Sequence, residues 1–244
     1  MISAEQIGDN LKDIEERITA ACNRCGRSRR DVTLIAVSKL NPADAVAAAA
    51  AAGQYVFGEN RVQELVSKQE EIVGICEKKL EWHLIGHLQT NKVKDVVGKV
   101  ELIHSVDSFR LAQAIDKESL KKGMITDILL EINISSEETK FGLTPENTEE
   151  TVRLISGLTN VRIKGLMTVA PYTENPESNR IYFKKLKDLS VDISSKNIDN
   201  ISMGILSMGM TGDFEVAIEE GATHVRVGTG IFGARDYTKR FIYG

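Results

Sequence analysis

The chain is poor in the residues that staple or metallate small folds. Its three cysteines, Cys22, Cys25 and Cys76, are an odd and sparse set in 244 residues and offer no disulfide framework. Cys22 and Cys25 form a C-x-x-C, but no second pair accompanies it and it falls within an amphipathic helix pattern, so the two read as packing residues. The four histidines share no metal-ligand spacing, which predicts no metal site. No apolar run approaches a membrane span, and the N-terminal MISAEQIGDN lacks a basic segment followed by an apolar one. No membrane association is expected, and a cytoplasmic location is the default. Positive charge is also scarce: 31 Lys and Arg against 35 Asp and Glu argue against nucleic acid or an anionic surface as partner. No linker or composition break interrupts the chain, so a single domain over 1–244 is expected.

What the chain has in quantity is repetition of one unit. The first segment is a helix, with Ser3 and Gln6 in capping-box spacing and Ile7, Leu11, Ile14, Ile18 and Cys22 at intervals of three and four. After the basic turn GRSRRD comes a strand, VTLIAVSK, then an alanine-rich helix behind Asn41-Pro42 that ends at Gly53. The same alternation returns with strands at 55–60, 81–86, 100–108, 127–135, 161–170, 200–210 and 222–233, each but the last followed by a helical pattern. Apolar strands alternating with amphipathic helices predict a parallel sheet covered by helices. Eight such units in a chain of this length predict an α/β fold, a closed (β/α)8 TIM barrel preceded by an extra N-terminal helix. An open doubly wound sheet is the competitor, and no G-x-G-x-x-G follows the first strand to favour it.

Active sites of such barrels are built at the C-terminal ends of the strands. Those ends are polar here: Ser38-Lys39, Gly58-Glu59-Asn60, Gly86-His87, Ser105 and Asp107, Asn133, Met167-Thr168, Ser207 to Met210, and Arg226 to Thr229. SMGMTGDFE (207–215) and VRVGTGIFG (225–233) place small residues and hydroxyls before helices at strands seven and eight, where these barrels often hold phosphate. Arg226, between Val225 and Val227, points into the barrel; it serves either a buried carboxylate such as Glu131 or a ligand. Lys39 faces the same mouth from strand one, beside strand eight once the barrel closes. An inward lysine, a phosphate cradle including Gly228 and Thr229, and an arginine on one rim describe a site for pyridoxal 5′-phosphate (PLP), with Lys39 as Schiff-base amine and Arg226 toward the ring nitrogen. An arginine in that position, unlike a carboxylate, cannot keep the ring nitrogen protonated, which limits carbanion chemistry.

The motifs AVSK, FGEN-VQE, WH-IG-LQ-NK, INIS-E--K-G, GLMT and SMGM-----AI--G-T-VR-GT-IFG-R-Y run nearly end to end. On them the chain resembles the pyridoxal phosphate homeostasis proteins, relatives of the alanine racemase barrel domain. The resemblance implies that Lys39 carries the PLP Schiff base and that the pocket includes Asn60, Met167, Ser207, Gly209, Arg226, Gly228 and Thr229. It implies a secondary role for Lys140, in the loop after strand five. It also implies a monomeric or weakly associating chain that holds and supplies PLP to PLP-dependent apo-enzymes, with indirect effects on amino-acid and keto-acid balance. Two-base racemisation lacks an evident second base, since Tyr237 and Tyr243 read as packing or surface residues of the tail. Two other readings stay open: a PLP-dependent amino-acid racemase or related enzyme of weak activity, and a cofactor-free Schiff-base aldolase, which would leave Arg226 without a task. His83 reads as an interior hydrogen-bonded histidine, and His104 and His224 as packing residues.

Overall fold

The computed structural model describes residues 2–135, 137 and 141–234. Helix α1 (Ala4–Arg24) starts where the Ser3 hydroxyl accepts the Gln6 N–H, and it buries Ile7, Leu11, Ile14, Ile18, Ala21 and Cys22. Eight parallel strands follow: β1 (Thr33–Val37), β2 (Val56–Glu59), β3 (Glu81–Leu84), β4 (Leu102–Val106), β5 (Thr126–Glu131), β6 (Val161–Met167), β7 (Ile201–Met210) and β8 (His224–Val227). They close in sequence order, with β8 pairing back to β1. Around them run α2 (Ala43–Ala51), α3 (Val62–Ile72), α4 (Val93–Val96), α5 (Phe109–Lys122), α6 (Pro145–Ser156), α7 (Arg180–Ser195) and α8 (Phe214–Glu219). The short α9 (Thr229–Phe232) follows β8. This is the (β/α)8 barrel with a leading helix that the alternation predicts.

Several boundaries differ from the sequence reading. The eighth strand stops at Val227, because the chain turns at Gly228 and starts α9 instead of running on to 233. The fifth and sixth strands also end earlier than expected, at Glu131 and Met167, where polar loops take over. The helix after β3 shrinks to α4, behind a single 3-10 turn. Pro42 caps α2 rather than occupying its first turn, and Ala52 stands between that helix and Gly53.

Two apolar layers result from strand alternation. Outward residues such as Leu34, Ala36, Phe57, Trp82, Leu130, Leu206, Val225 and Val227 join the helices in the main core. Leu102, Leu129 and Met167, with Ile205, form a small separate cluster inside the barrel. Alternation then fixes the inward rows: Ile35 and Val37 lead to Lys39, Gly58 to Asn60, Leu129 to Glu131, and Ile205 to Ser207. Cys22 and Cys25 are free thiols, and the Cys25 Sγ–H donates to the Ala21 carbonyl, as a packing role requires. No described helix is long and apolar enough to cross a membrane.

Candidate functional site

The floor of the site is a hydrogen-bonded row inside the barrel. His83 Nδ1 lies 2.9 Å from His104 Nε2, and His104 Nδ1 lies 2.9 Å from Ser207 Oγ. Arg226 Nη1 donates to the same Ser207 Oγ at 2.6 Å, and its Nη2 donates to the Thr168 carbonyl at 2.8 Å. Burial drives His83 down to about 3 and His224 to about 4, and His104 well below its ordinary value. All three are neutral imidazoles, His104 and His224 beside the Arg226 guanidinium, each able to donate at one nitrogen and accept at the other. Burial also lowers Arg226, to about 10, and it remains charged at neutral pH. Of the two tasks open to Arg226, the direct ion pair to Glu131 gives way to this row: its guanidinium bonds are to a hydroxyl and a carbonyl.

Register explains how an arginine that low in the sheet reaches the rim. On one side Arg226 is level with Ile35, in the middle of β1. On the other it is level with Met210, the last residue of β7, because the barrel is sheared and β7 carries an irregularity. Its side chain rises to Thr168, just past the end of β6.

Lys39 is half-buried in the turn after β1. Asn60 follows β2, and its buried Oδ1 has no hydrogen-bond partner among the described residues. Such an oxygen at a strand end fits a ligand that supplies a donor. Met167 and Ser207 are buried and paired across β6 and β7. Gly209 has φ 91°, and a Cβ there would stand 2.6 Å from the Ala217 side chain, so only glycine lets the end of β7, where loop seven begins, pack onto α8. Gly228 is buried and Thr229 exposed. The N–H groups of Gly228 and Gly230 point at Thr211 Oγ1, 3.3 and 3.5 Å away, which ties loops seven and eight together. The structure thus brings Lys39, Asn60, Met167, Ser207, Gly209, Arg226, Gly228 and Thr229 to one end of the barrel. Lys140, Tyr237 and Tyr243 lie outside the described residues.

Two features escaped the sequence reading. One is the role of His104 as a partner of Ser207, which depends on contact across the barrel. The other is a buried ion cluster behind the mouth: Lys68 Nζ donates to the Ser38 carbonyl, Glu59 Oε1 and Glu64 Oε1, each at 2.7 Å. A signal for the second existed, since Lys68 sits at helical spacing between the buried Leu65 and Ile72.

Across the mouth from Lys39, on the strand diametrically opposite, Glu131 is held up to about 7, first by burial, then by Asp107, with Arg226 opposing. His87 Nδ1 stands 3.3 Å from Asp107 Oδ2 and stacks on Phe141 with 4.0 Å between ring centres. The rim therefore carries an amine on one side and a proton-holding carboxyl on the other.

Residues 10–236 match the model of the family described as alanine racemase, N-terminal domain. A pyridoxal phosphate homeostasis protein of Aquifex aeolicus is 47% identical over 94% of this chain and 98% of its own. The chain belongs to this family of barrels. Among solved structures, an unknown protein from Bifidobacterium adolescentis is 35% identical with a TM-score of 0.89, covering 95% of this chain and 98% of that one. PipY of Synechococcus elongatus, determined with PLP bound, is 34% identical with a TM-score of 0.81, covering 93% of this chain and all of that one.

Proposed function

We propose that this protein holds PLP at the mouth of its barrel, bonded to Lys39, and takes part in PLP homeostasis and supply. The observation that carries the reading is the convergence of a strand-end amine, a buried arginine and the glycine–threonine turn at the seam between β1 and β8. The PLP-bound relative and the homeostasis proteins named above support it. PLP brings an aldehyde to an amine, a phosphate to backbone N–H groups, and a pyridine ring to be oriented. The residues present suit each part. Lys39 offers the amine, and the start of α9 after Gly228, beside the Thr211 hydroxyl and the end of β7 at Gly209, offers a place for the phosphate. Arg226 and Ser207 form the polar floor under the ring, Met167 gives an apolar wall, and the unsatisfied oxygen of Asn60 takes a donor.

The absorption spectrum of the protein incubated with PLP tests this. A visible band that disappears in Lys39→Ala is expected, and a colourless wild-type protein sinks the reading.

A second reading, weak proton exchange on an amino acid, draws on Glu131, which can hold or release a proton across the mouth from Lys39 near neutral pH. Proton NMR of single amino acids in heavy water with the loaded protein decides it; loss of no Cα–H signal removes it. Delivery of PLP to apo-enzymes, a monomeric state and a cytoplasmic location belong to the proposal on the strength of the family resemblance.

A further inference from the structure

The turn that carries Lys39 is held from both sides by charges buried behind the sheet. On its N-terminal side, the Ser38 carbonyl accepts from Lys68 Nζ at 2.7 Å, and the Ser38 hydroxyl donates to Glu59 Oε1 at 2.6 Å. On its C-terminal side, the Leu40 N–H donates to Glu64 Oε1 at 2.5 Å. Leu40 has φ 64°, the left-handed conformation that a branched side chain adopts only at a cost. Lys68, Glu59 and Glu64 are essentially without solvent exposure. The ammonium spends all three of its N–H groups on Ser38, Glu59 and Glu64, so Lys68 has none left for a ligand. Glu59 also immediately precedes Asn60, so the same cluster joins the ends of β1 and β2.

We propose that Glu59, Glu64 and Lys68 are positioning residues that lock the Ser38–Leu40 turn and so aim the Lys39 amine into the barrel mouth. Stability alone explains the cluster poorly. Two carboxylates and one ammonium are expensive to desolvate, and well-packed apolar replacements of such groups are often neutral or stabilising. Glu59 Oε2 has no partner among the described residues, and burial pushes the Glu59 carboxyl above its usual range, as an over-supplied acid requires. What the charges achieve that apolar side chains cannot is directional: they grip the Ser38 carbonyl and the Leu40 N–H on either side of Lys39, at the edge of the strained Leu40 φ. Alternation turns Ser38 and Glu59 outward to the cluster, which leaves Lys39 and Asn60 facing the mouth.

The inference rests on Lys39 being the amine that takes the cofactor aldehyde. In that reaction the amine nitrogen replaces the aldehyde oxygen, which leaves as water. The test separates aiming the amine from building the pocket. Wild-type, Glu64→Ala and Lys68→Met proteins are titrated with PLP, following the visible band of the lysine adduct. They are also titrated calorimetrically with pyridoxine 5′-phosphate, which has the ring and phosphate but no aldehyde. The expected result is an adduct constant lowered about tenfold or more in both variants, with affinity for pyridoxine 5′-phosphate changed less than about twofold. Glu64→Gln, whose amide oxygen can still accept the Leu40 N–H, is expected to keep most of the wild-type constant. Leu40→Gly in the Glu64→Ala background is expected to recover part of the loss, since glycine adopts the left-handed turn without help. Should Lys68→Met not fold, the charge-free combination Glu59→Gln, Glu64→Gln, Lys68→Met takes its place, with the same expectation. Unchanged adduct constants overturn the proposal, as does an equal fall in affinity for both compounds. If the wild-type protein forms no adduct at all, the proposed function fails first, and this inference with it.

Discussion

Arg226 Nη1 and Ser207 Oγ are 2.6 Å apart, and the same hydroxyl is 2.9 Å from His104 Nδ1. One oxygen therefore serves a cation from above and an imidazole from below, entirely out of contact with water. Its proton has two arrangements. If the hydroxyl donates to His104 Nδ1, His104 Nε2–H donates onward to His83 Nδ1; if His83 Nδ1–H donates to His104 Nε2, His104 Nδ1–H donates to the hydroxyl and the Ser207 proton is available to the mouth. Ser207→Ala strands both neighbours. We expect a loss of about 1–3 kcal/mol in stability, read from urea unfolding, together with weaker binding of PLP. A variant as stable as the wild type would show that the row is not needed to satisfy these groups.

The buried titratable groups predict a pH profile of stability for the protein without cofactor. His83, His104 and His224 are held below 6.5, so the unfolded chain takes up their protons first and stability is lost as pH falls below about 6.5. For His224, a fall from 6.5 to about 4 corresponds to roughly 3 kcal/mol, at about 1.4 kcal/mol per pH unit. Glu59 and Glu131 are raised from 4.5, so the folded chain takes up their protons first and stability is gained as pH falls toward 4.5. Above 6.5 only the carboxyls act; below 4.5 only the histidines do; between, three oppose two. Urea midpoints are expected to peak near pH 6.5 and to fall steeply below 4.5. A midpoint that rises steadily from pH 6.5 to 8 contradicts this assignment.

Glu131→Gln isolates one of those carboxyls. Above pH 7 the ionised acid is a penalty that the amide removes, so the variant is expected to be more stable at pH 8, by about 1–3 kcal/mol. At pH 4 the acid is protonated in both states and the two proteins are expected to unfold alike. A difference that does not change with pH would mean that packing, not charge, separates them.

Gly209→Ala probes loop seven. The new methyl group meets Ala217 and the Phe214 backbone at 2.6 and 2.9 Å, from a φ of 91°. Either loop seven lifts off α8 or the strain stays. Melting should fall by several degrees, as for a loss of about 1–3 kcal/mol, and affinity for inorganic phosphate should fall with it. An unshifted melting curve would mean that the loop yields freely.

The barrel itself was readable because each strand announces itself by an apolar run and each helix by its three-and-four spacing. Lys39, Asn60 and Arg226 could be singled out because strand ends are where polar residues gather in such folds. Strand lengths were less legible, since Gly228 permits extension as readily as the turn that β8 makes at its end. Lys68 drew no notice in the sequence, because its partners Ser38 and Glu59 come from the ends of neighbouring strands, up to 30 residues away. His83 is the hydrogen-bonded interior histidine the sequence suggests, but His104 looked like a packing residue, since nothing local in the chain announces that β3, β4 and β7 meet across the barrel interior at His83, His104 and Ser207.

The seam between β1 and β8 joins the first strand to the last, and the Lys39 turn to the Gly228–Thr229 turn. During synthesis Lys39 leaves the ribosome long before Arg226 and Gly228. A growing chain has its amine early but no cradle until the final strand closes the ring. On the proposed reading, capture of the cofactor is a late checkpoint: a chain cut short before β8 would carry Lys39 without Arg226 and the Gly228–Thr229 turn, and a colour change would report ring closure.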